Sequence, residues 1–162
     1  MATRKISFGL SPDAIKDAVD YLETYKKWVN QKIDELMIRL AAVGLETARV
    51  YFQQGATEGN EAPETWVEPI ENGFKIIARG KDVFFIEFGA GDAAGNHPDA
   101  ANAPVDTTPG SYSKINTGEY AKYQSWHHKG VKYTELQPQM PMYHAMREIE
   151  RNVTKIAKEV FS

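Results

Sequence analysis

At 162 residues the chain suits one domain, 1–162, and 42% hydrophobic content is enough for a real core, which excludes wholesale disorder. A net charge of -3 and a pI near 5.8 argue against a general nucleic-acid binder. There is no cysteine, so neither a disulfide framework nor a thiolate metal site is possible.

Met1-Ala2-Thr3-Arg4-Lys5-Ile6 carries cations but no apolar stretch behind them, so no signal peptide is expected. No apolar run approaches the length needed to cross a bilayer. Lys5 to Gly9 reads as a short strand. Ser11-Pro12-Asp13 then marks a helix start: Ser accepts from free N–H groups, Pro sits where no donor is needed, and Asp faces the positive end of the dipole. Apolar residues follow at Ile15, Val19, Leu22, Tyr25, Val29, Ile33, Leu36, Leu40, Val43 and Val50, with Thr47 filling the series. Steps of three and four make this one helical stripe, which Gln53-Gln54-Gly55 ends.

The stripe is long. As one straight helix it would span about 60 Å at 1.5 Å per residue, whereas a compact domain of this size is about 40 Å across. Either the helix breaks near Lys26 to Asn30, or it projects and neighbouring subunits cover it.

After a polar loop from Gln54 to Pro63, Thr65–Ile70 and Gly73–Ala78 read as a hairpin around Asn72-Gly73, with Pro69 confining the first strand to an edge or a bulge. Lys81 to Gly89 fits either a third strand or one and a half helical turns. Residues 90–125 lack periodicity and read as a long loop that orders on assembly. No Lys or Arg occurs between Lys81 and Lys114, while Asp82, Glu87, Asp92, Asp99 and Asp106 do. Val131 to Glu135 returns as a short strand. A last helix starts near Pro141 with the stripe Met142, Met146, Ile149, Val153, Ile156 and Val160, opposite Arg147, Arg151, Lys155 and Lys158. The fold class is therefore α+β: a long N-terminal helix, a small antiparallel sheet, a long loop, and a C-terminal amphipathic helix packed on the sheet.

Candidates for chemistry are weak. His127-His128 with Glu87 or Asp92 would make a metal site, but adjacent strand residues point to opposite faces, and His97 and His144 add no helical pair. Glu87, between apolar neighbours, fits a general acid of raised pKa or a structural cap. Gly89-Ala90-Gly91-Asp92 lacks a phosphate-binding pattern. Tyr112, Tyr120, Tyr123, Trp126 and Tyr133 fit either a protein interface or a loop folded on its own aromatics. Met140, Met142 and Met146 suit an adaptable contact surface or ordinary core packing.

The order of parts carries a resemblance. Leu40-Ala41-Ala42-Val43-Gly44-Leu45-Glu46-Thr47-Ala48 is followed by the hairpin and by Phe85-Ile86-Glu87-Phe88-Gly89-Ala90-Gly91. Then come Thr108-Pro109-Gly110-Ser111-Tyr112-Ser113 and Pro138-x-x-Pro141-Met142-Tyr143-x-Ala145. From the Ser11 helix to the last helix, this resembles the small tail-completion, or head–tail joining, proteins of long-tailed bacteriophages and prophages of Gram-positive hosts. Two places depart from the family pattern: Gly89-Ala90 stands where Gly-Thr is common, and Glu135-Leu136-Gln137-Pro138 where a glycine is common.

The resemblance implies a non-enzymatic virion protein without cofactor or metal. It would form a ring, often six-fold, at the head-proximal end of the tail, between a tail tube or terminator protein and the head connector. It would reside in the host cytoplasm during assembly. Phe85, Glu87, Tyr112, Trp126, Tyr133, Met140 and Tyr143 are the candidate interface residues, and the acidic stretch from Asp82 to Asp106 would face a lumen and repel DNA phosphates. The competing expectations are a small binding module or regulator, and, more remotely, a metal-assisted hydrolase using His127 or His128 with Glu87.

Overall fold

A computed structural model describes residues 9–56, 61–89 and 137–162, together with the backbones of 126–128 and 131–133. Helix α1 runs unbroken over Pro12–Gly55, 44 residues, or about 66 Å at 1.5 Å per residue. Ser11 caps it as expected, its Oγ accepting from the Ala14 N–H at 3.2 Å. At the other end the Ala56 N–H donates to the Gln53 carbonyl. Of the two alternatives for this stripe, the break near Lys26 to Asn30 does not occur. That segment holds neither Gly nor Pro, and Trp28 within it is tied by a stack on Tyr25 (5.7 Å) and an edge contact with Phe161 (6.1 Å).

Strands β1 (Glu64–Ile70) and β2 (Gly73–Arg79) form the expected antiparallel hairpin, pairing Glu64 with Arg79 and Ile70 with Gly73. The connecting pair is Glu71-Asn72, one residue earlier than the sequence suggests. Gly73, not Asn72, takes the positive φ, at 154°, a conformation that other residues rarely adopt. Pro69 lies within β1 opposite Phe74.

The ambiguous segment after the hairpin is helical: α2 spans Val83–Phe88, with the Ile86 N–H donating to Asp82 and the Gly89 N–H to Phe85. A third strand does not form there. A second small antiparallel pair joins β3 (Trp126–His128) to β4 (Val131–Tyr133), Trp126 opposite Tyr133. The strand expected from Val131 is thus present to Tyr133, while its partner at Trp126 was not foreseen. The final helix α3 spans Pro141–Phe161.

The α+β class is as expected. Helix α3 runs antiparallel to α1: Tyr51 stacks on His144, Leu40 packs with Ile156 and Val160, Arg39 pairs with Glu159 and Trp28 meets Phe161. The buried contacts between the helices follow one row of α1 in steps of four, through Leu36, Leu40, Gly44, Ala48 and Phe52, with Tyr51 and Arg39 on its flanks. At Gly44 the helix pair reaches the sheet. A Cβ there would lie 2.6 Å from both Ile149 Cδ1 of α3 and Ile76 Cδ1 of β2, so a side chain at this point would push both Ile side chains aside. The main core joins Ala48 and Phe52 of α1, Ala78 of β2, Val83 and Ile86 of α2, and Met142 and Ala145 of α3. Arg49 fixes β1 to α1 by donating to the Thr65 hydroxyl (3.1 Å) and carbonyl (2.9 Å).

Candidate functional site

The start of α3 lacks a capping side chain of its own. Its N-cap residue, Met140, sits in the left-handed region (φ 49°, ψ 46°) with its thioether fully buried, and makes no side-chain cap bond. The first amides of α3 therefore need an acceptor from elsewhere. Glu87, 55 residues earlier, supplies it: Oε2 accepts from the Met142 N–H at 2.9 Å and Oε1 from the Tyr143 N–H at 3.3 Å. The exchange is reciprocal. The backbone carbonyls of Ile86 and Glu87, at the end of α2, accept from the Gln139 N–H (2.8 Å) and the Met140 N–H (3.3 Å). Two helix ends of opposite polarity thus satisfy each other through one short segment, residues 139–143, a clasp closed over Ile86.

The clasp has a definite electrostatic character. Glu87 is 4% exposed. Burial raises its pKa to about 7, against the pull of the two amide donors, which favour the charged form. With both carboxylate oxygens turned to the helix end, the arrangement is that of a cap, one of the two roles open to Glu87 from sequence.

The candidate interface residues divide. Glu87, Met140 and Tyr143 meet in this clasp and are no more than 6% exposed, so their contacts are within the chain rather than toward a partner. Phe85 is half-buried on α2 beside them, and its neighbour Phe84, 51% exposed and stacked near Phe88, is the more accessible ring. Trp126 and Tyr133 are brought together as opposed residues of β3 and β4. Tyr112 lies outside the described residues, as do His97, Asp92, Tyr120, Tyr123, the strand expected at Lys5 and the loop 90–125. The lumen reading of the acidic stretch is corrected at two positions. Asp82 is buried and accepts from the Glu61 N–H at 2.9 Å, and Glu87 caps α3, so neither faces outward.

His127 and His128 lie in β3, on a different element from Glu87. Among the described residues no group of three or more His, Asp or Glu is placed to hold a metal ion. No helix among them is long and apolar enough to cross a membrane.

The second feature of note is the upper part of α1. Since α3 ends at Phe161 beside Trp28, residues 12–27 extend past it, by about 24 Å. This arm keeps the apolar spacing of the rest of the helix, yet Ile15, Val19, Leu22 and Tyr25 are 44–54% exposed. The sequence showed the stripe but not where its covering would stop. At the arm's base Tyr21, Thr24, Tyr25, Trp28 and Ser162 line an open hollow of about 400 Å³. Comparison of the chain with protein-family models, with curated proteins and with solved structures gives no match.

Proposed function

We propose that this chain is a structural virion protein of a tailed phage or prophage. It acts in tail completion and head–tail joining at the head-proximal end of the tail. It forms a ring, with a tail tube or terminator protein on one side and the head connector on the other. One observation carries the reading. The two segments on which the family resemblance rests, Phe85–Gly89 and Pro138–Tyr143, are joined by Glu87 capping α3. A motif whose residues hold the fold together is what a scaffold protein needs. The outer edges of the β1–β2 pair offer backbone groups for strand addition by a neighbour.

The test is twofold. Light scattering of the purified chain, alone and with the neighbouring tail proteins, should yield a ring mass. A phage or prophage lacking the chain should accumulate separate heads and tails, which the added protein joins. A chain that stays a monomer or dimer in every mixture, while binding one basic partner tightly, would favour the binding-module reading instead.

A further inference from the structure

We propose that the projecting arm of α1, residues 12–27, is a self-association surface that takes the same arm of a second copy of this chain, antiparallel, about a two-fold axis between residues 20 and 21. This goes beyond the ring and does not depend on it. The arm's apolar residues Ile15, Val19 and Leu22, continued by Val29, follow the four-and-three spacing of a coiled-coil repeat, with Lys26 filling the one polar position of the seam. Helix α3 leaves this stripe because it follows the four-residue row instead, so Ile33 stays 44% exposed even beside α3.

Charge and size choose the occupant. At 100° per residue, one flank of the stripe carries Lys16 and Glu23 and the other Ala18 and Tyr25, while Asp13, Asp17 and Asp20 fall on the far side. With the axis between residues 20 and 21, Val19 meets the partner's Leu22, and Ile15 lies along the aliphatic stem of the partner's Lys26. Lys16 then faces the partner's Glu23, and Ala18 makes room for the partner's Tyr25. Every contact occurs twice. The two adjacent antiparallel registers fail on charge: moving the axis to residue 17 sets Lys16 against Lys16, and moving it to residue 24 sets Glu23 against Glu23. The second also drives the partner into the end of α3 at Trp28 and Phe161. A parallel pair would place Lys26 against Lys26 in the seam. Among the described residues Lys16 and Glu23 make no salt bridge, and, seven residues apart, they do not pair with each other.

The contact is short, so the association is weak, with a dissociation constant on the order of tens of micromolar or higher. The experiment is light scattering of the full chain from low micromolar to about 1 mM, with variants on the arm. The expected species is a dimer, or twice the ring mass if the body also closes into a ring. Leu22→Glu should halve that mass with the circular dichroism and Tm unchanged, because Leu22 touches little of its own chain. Lys16→Glu should weaken the association several-fold, and Lys16→Glu with Glu23→Lys should restore it. Mixed Val19→Cys and Leu22→Cys chains should form a disulfide across the pair more readily than either alone. A monomer, or a lone ring, at all concentrations overturns the proposal, as does a mass that Leu22→Glu leaves unchanged or a double charge reversal no better than the single one. A single ring in the unaltered chain, with the same mass in Leu22→Glu, leaves the joining role standing while the arm pairing falls, and the absence of a ring beside an arm-dependent dimer does the reverse.

Discussion

Replacing Glu87 by Gln should flatten the pH dependence of stability. In the unfolded chain this carboxyl ionises near 4.5, while in the folded chain burial holds it protonated up to about 7. Between those values the folded state binds the extra proton, so stability is greatest below pH 4.5 and falls as the pH rises toward 7. At 1.36 kcal/mol per pH unit, the loss over this window is about 3 kcal/mol. Gln keeps one carbonyl oxygen for the Met142 N–H and has no proton to lose. Urea unfolding of both proteins at half-unit intervals from pH 4 to 8 measures the effect as a difference, which cancels groups common to both. Wild type should lose about 3 kcal/mol relative to the Gln variant across the interval. A difference that is constant with pH would refute the reasoning. It would mean that the α3 amides and helix dipole stabilise the carboxylate enough to cancel its burial.

Glu87→Ala should be worse than Gln at every pH. It strands two helix-end amides, at about 1–3 kcal/mol each, and a drop in Tm registers the loss. Gly44→Ala should lower stability by about 1–3 kcal/mol, because its methyl would collide with Ile149 and Ile76, and Tm reports it. Ile156→Asp should abolish folding or cost several kcal/mol, visible as lost helical circular dichroism, since Ile156 packs with Leu40 and Val160. Arg49→Met should cost about 1–3 kcal/mol in denaturant titrations, having removed both donors that hold Thr65 to α1.

Much of the architecture was legible where local chemistry decides it. Ser11-Pro12-Asp13 and Gly55 mark the ends of α1, alternation and Asn72-Gly73 mark the hairpin to within one residue, and Pro141 opens α3. What failed was set at long range. Residues 83–88 are too few for a periodicity, and their helix forms because residues 139–140 and the core receive its end. The roles of Glu87 and Met140 depend on partners far along the chain, Met142 being 55 residues from Glu87, which no spacing rule reaches. The continuity of α1 follows from the aromatic contacts of Trp28, and the row that α3 chooses follows from Gly44; a sequence stripe contains neither.

The clasp also bears on how this fold tolerates change in length. Residues 86–87 and 139–143 are hydrogen-bonded to each other, so the two ends of the interval between them are held together. Closing a connection between fixed ends grows only logarithmically dearer with its length, about 0.6 kcal/mol per doubling. Residues added or removed between Gly89 and Gln137 therefore leave the seal between α2 and α3 nearly undisturbed. A change of length in that interval is therefore expected to cost far less than a change at Glu87 or at the turn at Met140.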